Sequence, residues 1–142
     1  MYKHTQFGWL IAIALGVALF ALLPSIEIIP LQFGVSLSAL MLFICVSFCA
    51  LRVEVSDALK VRFGVGLIRR TIAFTELESA AIVRNSWWMG WGIHYYGSGW
   101  LWNVWGLDAI ELKLKNGKRF RIGTDAPEKL AAALQSKGVK RA

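Results

Sequence analysis

The sequence contains little cysteine and histidine, and this shortage narrows the kinds of site it can build. It has two cysteines and two histidines in 142 residues. Cys45 and Cys49 lie four positions apart in an apolar run, so we interpret them as packing residues on one helix face. His4 and His94 have no partners at metal-ligand spacing, and a zinc site needs three or four ligands. We therefore predict no metal centre, and we interpret His94 as an interfacial or turn residue.

Enzyme motifs are missing as well. The sequence has no phosphate-binding loop, no dinucleotide fingerprint and no Ser-His-Asp pattern. Closely spaced carboxylates occur at 76–78 and 108–111, but a solvated strand edge or salt bridges account for them better than acid–base catalysis does. We predict a protein that is not an enzyme and that uses no cofactor.

Acidic residues are few relative to basic ones. Nine acids face sixteen lysines and arginines, so the formal net charge is +7, nearly all of it after Leu51. Anionic headgroups attract a basic domain beside a bilayer by about 1 kcal/mol per basic residue near the surface. Nucleic acid is the other usual partner of a basic domain, but the basic residues here are dispersed. We expect membrane lipids, anionic headgroups among them, and no nucleic acid.

Charge is absent altogether from two long apolar runs, over 7–23 and 31–51, which predict transmembrane helices. Pro24 and Pro30 bound the connection between them. A cleaved signal peptide is less favoured, because no small-x-small site follows and a second apolar run comes at once. Small residues spaced along both runs would let the helices approach closely. These candidate helix-packing residues are Gly8, Ala12, Gly16, Gly34 and Ser38.

The flanking charges predict the orientation of this helical hairpin. Lys3 precedes the first run and Arg52 follows the second, while the connection carries only Glu27. By the positive-inside rule both termini are cytoplasmic, and the protein crosses the membrane more than once. We therefore divide the chain into a transmembrane hairpin, 1–51, and a cytoplasmic domain, 52–142.

Short alternating segments and one amphipathic segment make up the second part. Alternation of polar and apolar residues predicts seven strands, over 51–55, 59–63, 68–74, 77–84, 99–104, 109–114 and 118–122. Asn116 and Gly117 predict a hairpin between the last two. Thr124 or Asp125 caps a helix over about 126–136, and Gly138 ends it.

This order of elements resembles a pleckstrin-homology-like (PH-like) barrel. The segments RVEVSDALKVRFGVGLIRRTIAFTELESAAIV and GLDAIELKLKNGKRFRIGTDAPEKLAAAL carry the resemblance, and NGKRFRIGTDAP is its most telling part. With two helices in front, the chain is similar to bacterial membrane proteins in which a helical hairpin carries a PH-like domain. The resemblance implies an α+β fold: an N-terminal transmembrane α-hairpin, then a PH-like seven-stranded antiparallel β-barrel or sandwich closed by a C-terminal helix. It also implies a bacterial inner (cytoplasmic) membrane location, and it implies no activity.

One departure from the wider family concerns the loop between the first two predicted strands. Inositide-binding members place lysine and arginine there. Here the loop is Ser56, Asp57 and Ala58, which is short and acidic. Binding of an inositide by that route is not expected.

The most unusual stretch, 85–106, holds all but one of the seven tryptophans. Its glycines argue against one long helix, and indole rings favour surfaces that are half wet and half apolar. We expect two or three tryptophans to be buried and the rest to lie at the membrane or between subunits. The candidate interface residues are Trp87, Trp88, Trp91, Tyr95, Tyr96, Trp100, Trp102, Trp105, Arg84, Lys118, Arg119 and Arg121.

Two functions follow as hypotheses. In the first, the PH-like domain of a non-enzymatic membrane protein engages lipid headgroups or a protein partner at the bilayer surface. In the alternative, the protein is a structural subunit of a membrane assembly or a homo-oligomer, and the Trp-rich stretch and the small-residue helix face make subunit contacts.

Overall fold

The computed structural model describes residues 1–21 and 30–142 and shows an α+β chain. Most of the predicted connection between the two apolar runs, including Pro24 and Glu27, lies outside the described residues. The described part contains two apolar helices near the N-terminus, two β-sheets and a C-terminal helix that packs on the second sheet.

The two apolar helices differ in length. Helix α1 spans Trp9–Ala21 and helix α2 spans Leu31–Phe48. Within the described residues, α2 is the one helix long and apolar enough to cross a membrane, because its 18 residues rise about 27 Å at 1.5 Å each. Helix α1 is equally apolar but has 13 residues, and α1 packs against α2.

Sheet A is formed by four antiparallel strands in sequence order, β1-β2-β3-β4. Their bounds are Tyr2–Phe7, Ala50–Val55, Leu59–Phe63 and Arg69–Ile72. Strand β1 is an unexpected element, because the sequence analysis assigned no strand before the first helix. It extends the sheet to residues upstream of the 52–142 region.

Sheet B contains six strands in the order β10-β5-β8-β9-β7-β6. Their bounds in chain order are β5 Leu77–Arg84, β6 Gly92–Tyr95, β7 Gly99–Asn103, β8 Asp108–Leu114, β9 Arg119–Gly123 and β10 Lys140–Arg141. Helix α3, Pro127–Gln135, buries Leu130 and Leu134 against this sheet. The two sheets and α3 are called the β domain below.

The seven predicted strands are all present within two residues at each end. The predicted barrel or sandwich of seven antiparallel strands is wrong in its strand number and in its all-antiparallel pairing. There are ten strands in the described residues, and two pairs, β7 with β9 and β10 with β5, are parallel. Strand β8 lies between β5 and β9. Strand β7 therefore pairs with the other edge of β9, and the two strands run parallel. The arrangement is therefore a pair of sheets, one of them mixed.

The core of the β domain lies between the inward faces of the two sheets. Its largest fully buried side chains include Phe63 of sheet A and Phe120 of sheet B. Trp102 packs between these rings, with centroids 5.4 Å and 5.3 Å away. This cluster ties the sheets together and fixes how their ends align.

Both helices join the β domain through one pair of neighbouring strands. Phe7 at the end of β1 pairs with Ala50 at the start of β2, and the Gly8 N–H donates to the Cys49 carbonyl at 2.7 Å. The helical segment therefore leaves and re-enters the β domain at the same place. We call this the helix-base end, and the opposite end of the strands the distal end.

Candidate membrane interface

Loops from both sheets close around the helix bases. A Cβ atom added to Gly8 would lie 2.8 Å from the carbonyl oxygen of Val104, directly after β7. The Gln6 side chain donates from Nε2 to the Trp105 carbonyl at 2.8 Å. On the other side, Gly64 lies so close to the end of α2 that an added Cβ would overlap the Val46 carbonyl oxygen. The loops after β3 and β7 are thus fixed against the helices.

The tip between β3 and β4 exposes two aliphatic side chains beside α2. Val65 is 67% exposed and Leu67 is 66% exposed, although they flank a tight turn in which the Gly66 N–H donates to the Phe63 carbonyl at 2.7 Å. Sequence reasoning treated these residues only as a turn. A glycine-bounded Val/Leu tip beside an apolar helix was the signal that could have identified them.

Trp105 and Trp91 contribute two exposed rings to the same helix-base end of the β domain. Their rings are nearly parallel, at 17° with centroids 6.3 Å apart. The buried Asn103 amide holds the turn that carries Trp105, because Oδ1 accepts from the Trp105 N–H at 3.2 Å and Nδ2 donates to the Gly106 carbonyl at 2.9 Å. His94 donates from Nε2 to the Trp91 carbonyl at 2.6 Å. The ring of His94 is therefore a turn-holding group in this structure.

Phe7 and Trp9, with ring centroids 6.2 Å apart, continue this surface onto the base of α1. All of these side chains are exposed in the chain itself. We call the set the apolar collar, and it consists of Phe7, Trp9, Val65, Leu67, Trp91 and Trp105.

Trp87 and Trp88 lie next to this end on a short 3-10 turn that follows β5. The Asn85 N–H donates to the Leu107 carbonyl at 2.7 Å, which holds the turn near the loop that carries Trp105. Both rings are exposed and pack edge to face on each other. Arg84, just before them, is exposed.

Fewer tryptophans are buried than the composition led us to expect. Within 85–106, Trp102 alone is buried, and the other five keep between 39% and 75% of their surface exposed. Trp102 is removed from the candidate interface, because its ring is covered by Phe63 and Phe120 in the core. The expectation that two or three would be buried is therefore wrong.

Four other candidates lie at the distal end of sheet B. Strand β9 runs from Arg119 to Gly123, about 13 Å at 3.3 Å per residue, and β7 beside it ends at the helix bases. Lys118 and Arg119 therefore lie at the far end, together with the exposed edge-to-face pair Tyr95 and Trp100. The structure divides the predicted interface into two separate groups.

Arg121 and Tyr96 belong to a partly buried polar network around Glu111. Its carboxylate accepts from Arg121 Nε at 2.7 Å, from Arg119 Nη1 at 2.8 Å and from the Tyr96 hydroxyl at 3.1 Å. The Arg121 guanidinium also covers the Tyr96 ring at 4.3 Å and donates to Asn85 Oδ1 at 3.2 Å. Two of the three arginines predicted at the interface, Arg119 and Arg121, thus already share a carboxylate partner.

The same network shifts two pKa values. Burial alone would raise the pKa of Glu111, but the hydrogen bond and charge of Arg121, with Tyr96 and Arg119, outweigh it and lower the pKa. Burial and the neighbouring carboxylate raise the pKa of Tyr96. Glu111 is therefore held as a carboxylate and Tyr96 as a hydroxyl donor.

A row of three arginines on the outward face of sheet A was not among the predicted sites. In the strand register, Arg52 of β2 is opposite Arg62 of β3, which is opposite Arg69 of β4. The neighbouring positions Leu51, Val53 and Val61 are buried, so the arginines point outward by alternation. Sequence spacing could not show this row, because strand register brings its members together.

The predicted helix-packing residues are not brought together. Gly8 precedes α1 and packs on Val104, and a Cβ added to Gly16 or Gly34 would meet no described atom within 4 Å. Ala12, on α1, is half-buried, and Ser38, on α2, is exposed. Tight packing at Gly16 and Gly34 is therefore not a feature of the described chain.

The acidic loop between β2 and β3 places Asp57 between two hydrogen-bond donors. Asp57 accepts from Ser56 Oγ at 2.6 Å and from Lys60 Nζ at 2.9 Å, and these hydrogen bonds lower the pKa of Asp57. The nearest lysine is thus occupied by a carboxylate.

Clusters of three or more potential metal ligands do not occur in the 134 residues outside 22–29. No family model, curated protein or solved structure matches the chain. The functional proposal therefore rests on the geometry of the chain itself.

Proposed function

We propose that the chain is a non-enzymatic membrane protein whose helices hold a PH-like β domain against the bilayer, where it engages lipid headgroups. The proposal includes a bacterial inner-membrane location and cytoplasmic termini. The observation that carries it is the apolar collar, because exposed apolar side chains surround the bases of two apolar helices.

The strand pairing supports a hairpin of two spans. Because Phe7 and Ala50 are neighbours, the segment between them starts and ends on the same side of the β domain. A segment that returns to its starting side crosses a bilayer an even number of times. Cleavage after α2 would also remove β1 from its place beside β2, which argues against a signal sequence.

The exposure of the helices supports contact with lipid. Within the described residues α1 buries no side chain and α2 buries only Ser47, although both are apolar throughout. The collar continues this surface directly onto the β domain. Tryptophan and aliphatic side chains at this level are typical of the interface between headgroups and acyl chains.

Depth measurements on the full chain in phosphatidylcholine and phosphatidylglycerol vesicles test the proposal. Spin labels are attached to single cysteines that replace Val65 or Leu67, in a background with Cys45→Ala and Cys49→Ala. Matched control labels replace Asp57 and Asn116, which lie in exposed loops at the distal end. We expect oxygen, which concentrates in lipid, to relax the collar labels, and an aqueous nickel chelate to relax the control labels. Equal access of the chelate to all four positions would refute the proposal.

Two observations favour the alternative, a structural subunit of a membrane assembly. Within 1–21 and 30–142, nothing lies within 4 Å of a Cβ added to Gly16 or Gly34, and Tyr95 and Trp100 are exposed at the end away from the bilayer. In that case the collar labels would be shielded from both oxygen and the chelate, and native mass spectrometry would show an oligomer. Replacement of both glycines by leucine would then dissociate it, since no described atom of the single chain lies within 4 Å of a Cβ added at either position.

A further inference from the structure

We infer that the row Arg52, Arg62 and Arg69 binds the phosphate of an anionic lipid headgroup. This inference rests on the proposed membrane location and names the site at which the headgroup is bound. The row lies on sheet A, away from the tryptophan stretch of sheet B.

The row places like charges opposite one another on neighbouring strands. Directly opposed side chains in antiparallel strands have Cβ atoms about 4.5–5.5 Å apart, and like charges at that spacing destabilise a sheet. Here two successive cross-strand pairs, Arg52 with Arg62 and Arg62 with Arg69, are both of like charge. An anion that bridges them would remove the repulsion.

In the part of the chain that the structure describes, the row has fewer carboxylate partners than it has arginines. Arg62 donates from Nη2 to Glu54 Oε2 at 3.0 Å. Arg52 makes only a long hydrogen bond from Nε to Thr5 Oγ1, at 3.4 Å, and Arg69 has no salt bridge among the described residues. By contrast, Arg119, Arg121 and Lys113 of sheet B each have a carboxylate within 2.8 Å. Arg52 and Arg69 therefore have no carboxylate partner among the described residues and are free to bind an external anion.

The row lies a short distance from the apolar collar along the strands of sheet A. Arg62 and Arg69 flank the hairpin whose tip exposes Val65 and Leu67. Arg52 lies two residues along β2 from Ala50, about 7 Å at 3.3 Å per residue. With the tip in the acyl boundary, the row lies at the level of the phosphates.

The chemistry of guanidinium selects the ligand. Its planar donors match phosphate oxygens in pairs, and it loses its hydration more easily than an ammonium group does. Three guanidinium groups with one carboxylate leave a positive excess, which a headgroup with net negative charge offsets better than a zwitterionic one. We therefore assign the site to phosphodiester headgroups such as phosphatidylglycerol rather than to phosphatidylcholine.

The test compares two variants of the full chain that have the same net charge. Arg52→Gln/Arg69→Gln removes two charges from the row and keeps the Arg62–Glu54 pair. Lys115→Gln/Lys118→Gln removes two charges from exposed positions at the distal end of sheet B. Binding of phosphatidylglycerol and phosphatidylcholine to the detergent-purified proteins is measured by native mass spectrometry.

We expect the arginine variant to bind phosphatidylglycerol roughly 30-fold more weakly, the factor for two basic residues at a lipid surface. The lysine variant should change by less than about twofold, and phosphatidylcholine binding should be weak throughout. Equal losses in the two variants, or no loss in the arginine variant, would overturn the assignment.

Two further measurements are needed. The first distinguishes a lipid site from a site for a soluble anion, and the second tests the membrane location separately from headgroup binding. Inorganic phosphate and glycerol phosphate are titrated against the protein in phosphatidylcholine vesicles, and binding as tight as that of phosphatidylglycerol would reassign the row to a soluble ligand. A label at position 65 in the arginine variant reports collar depth independently of headgroup binding.

The arginine variant should unfold at a temperature no lower than wild type, because like-charge repulsion is relieved.

Discussion

At the scale of single residues, Glu111 pairs with two of the predicted interface arginines, Arg119 and Arg121. Its side chain is 12% exposed and accepts from two guanidinium groups and a phenol. Removal of one partner from a buried charged network leaves the others unpaired, which costs more than the loss of an exposed pair. Arg119 and Arg121 therefore stabilise sheet B, and Arg52 and Arg69 remain available to ligands.

Replacement of Glu111 by Gln should lower the free energy of unfolding by about 1–3 kcal/mol, because Arg121 loses its charged acceptor. The control is Glu78→Gln, whose pair with Lys113 at 2.8 Å is exposed on both sides and should contribute less than about 1 kcal/mol. Urea unfolding in detergent measures both values. Equal effects of the two substitutions would contradict the structural role of Glu111.

The stabilisation by Glu111 should also depend on pH. Its pKa in the folded protein is lowered, so its contribution is fully present above the ordinary glutamate pKa of about 4.3 and is lost as pH falls through the folded value. The difference in unfolding free energy between wild type and Glu111→Gln should therefore shrink below about pH 4. A difference that stays constant over that range would refute this assignment.

At the scale of elements, the β3–β4 hairpin connects sheet A to the base of α2. Gly64 has a φ of +45° and lies against the carbonyls of Val46 and Ser47, so two separate requirements select glycine there. Gly66 has a φ of +94° in the same turn, but the nearest atom to an added Cβ is Arg62 Cδ at 3.7 Å. Substitutions at the two glycines therefore distinguish the effect of an unfavourable backbone conformation from the effect of overlap with α2.

Gly64→Ala should therefore destabilise the protein more than Gly66→Ala. The conformational strain of about 1–2 kcal/mol is common to both substitutions, and overlap with the α2 carbonyls adds about 1–3 kcal/mol at Gly64 only. Thermal unfolding of the full chain in detergent gives the comparison. Equal losses at the two positions would mean that the hairpin does not pack on α2.

At the scale of the whole molecule, the helical segment is an insertion between two paired strands. Strand β1 precedes the helices and completes sheet A after them, with Gln6 nearly fully buried. Removal of the first 51 residues would therefore remove a strand of the β domain together with the helices. The remaining β2 would expose an unpaired edge, which favours aggregation.

The fragment 52–142 should accordingly lack a cooperative thermal transition or aggregate. A chain in which an Asn-Gly turn replaces residues 9–48 should fold as a soluble domain, because Gly8 and Cys49 are already joined by a 2.7 Å hydrogen bond. Circular dichroism melting and sedimentation compare the two. Cooperative melting of the fragment at the temperature of the linked chain would show that β1 is dispensable.

Local patterns in the sequence were sufficient to predict most of the individual helices and strands. Charge-free runs, alternation and the turn at Asn116 and Gly117 predicted the long apolar helix and seven strands. The last helix was also predicted, but its predicted cap, Thr124 or Asp125, was wrong: Ala126 is the N-cap residue and no side chain caps the helix, although Thr124 Oγ1 accepts from the Ala126 N–H at 3.1 Å. These signals involve residues close together in the chain, where steric and hydrogen-bonding preferences act directly. Strand β6 was missed because Gly90, Gly92 and Gly97 resemble a loop, and its pairing with β7 outweighs that preference.

Interactions between distant residues were decided by tertiary structure alone. By itself, the sequence determined the apolar helices, the strand-forming segments, the basic excess and the wealth of tryptophan. Only the fold placed β1 beside β2, buried Trp102, paired Arg121 with Glu111 and aligned Arg52, Arg62 and Arg69. The physical reason is that composition and periodicity report each segment's own preferences, whereas register and burial depend on which segments become neighbours.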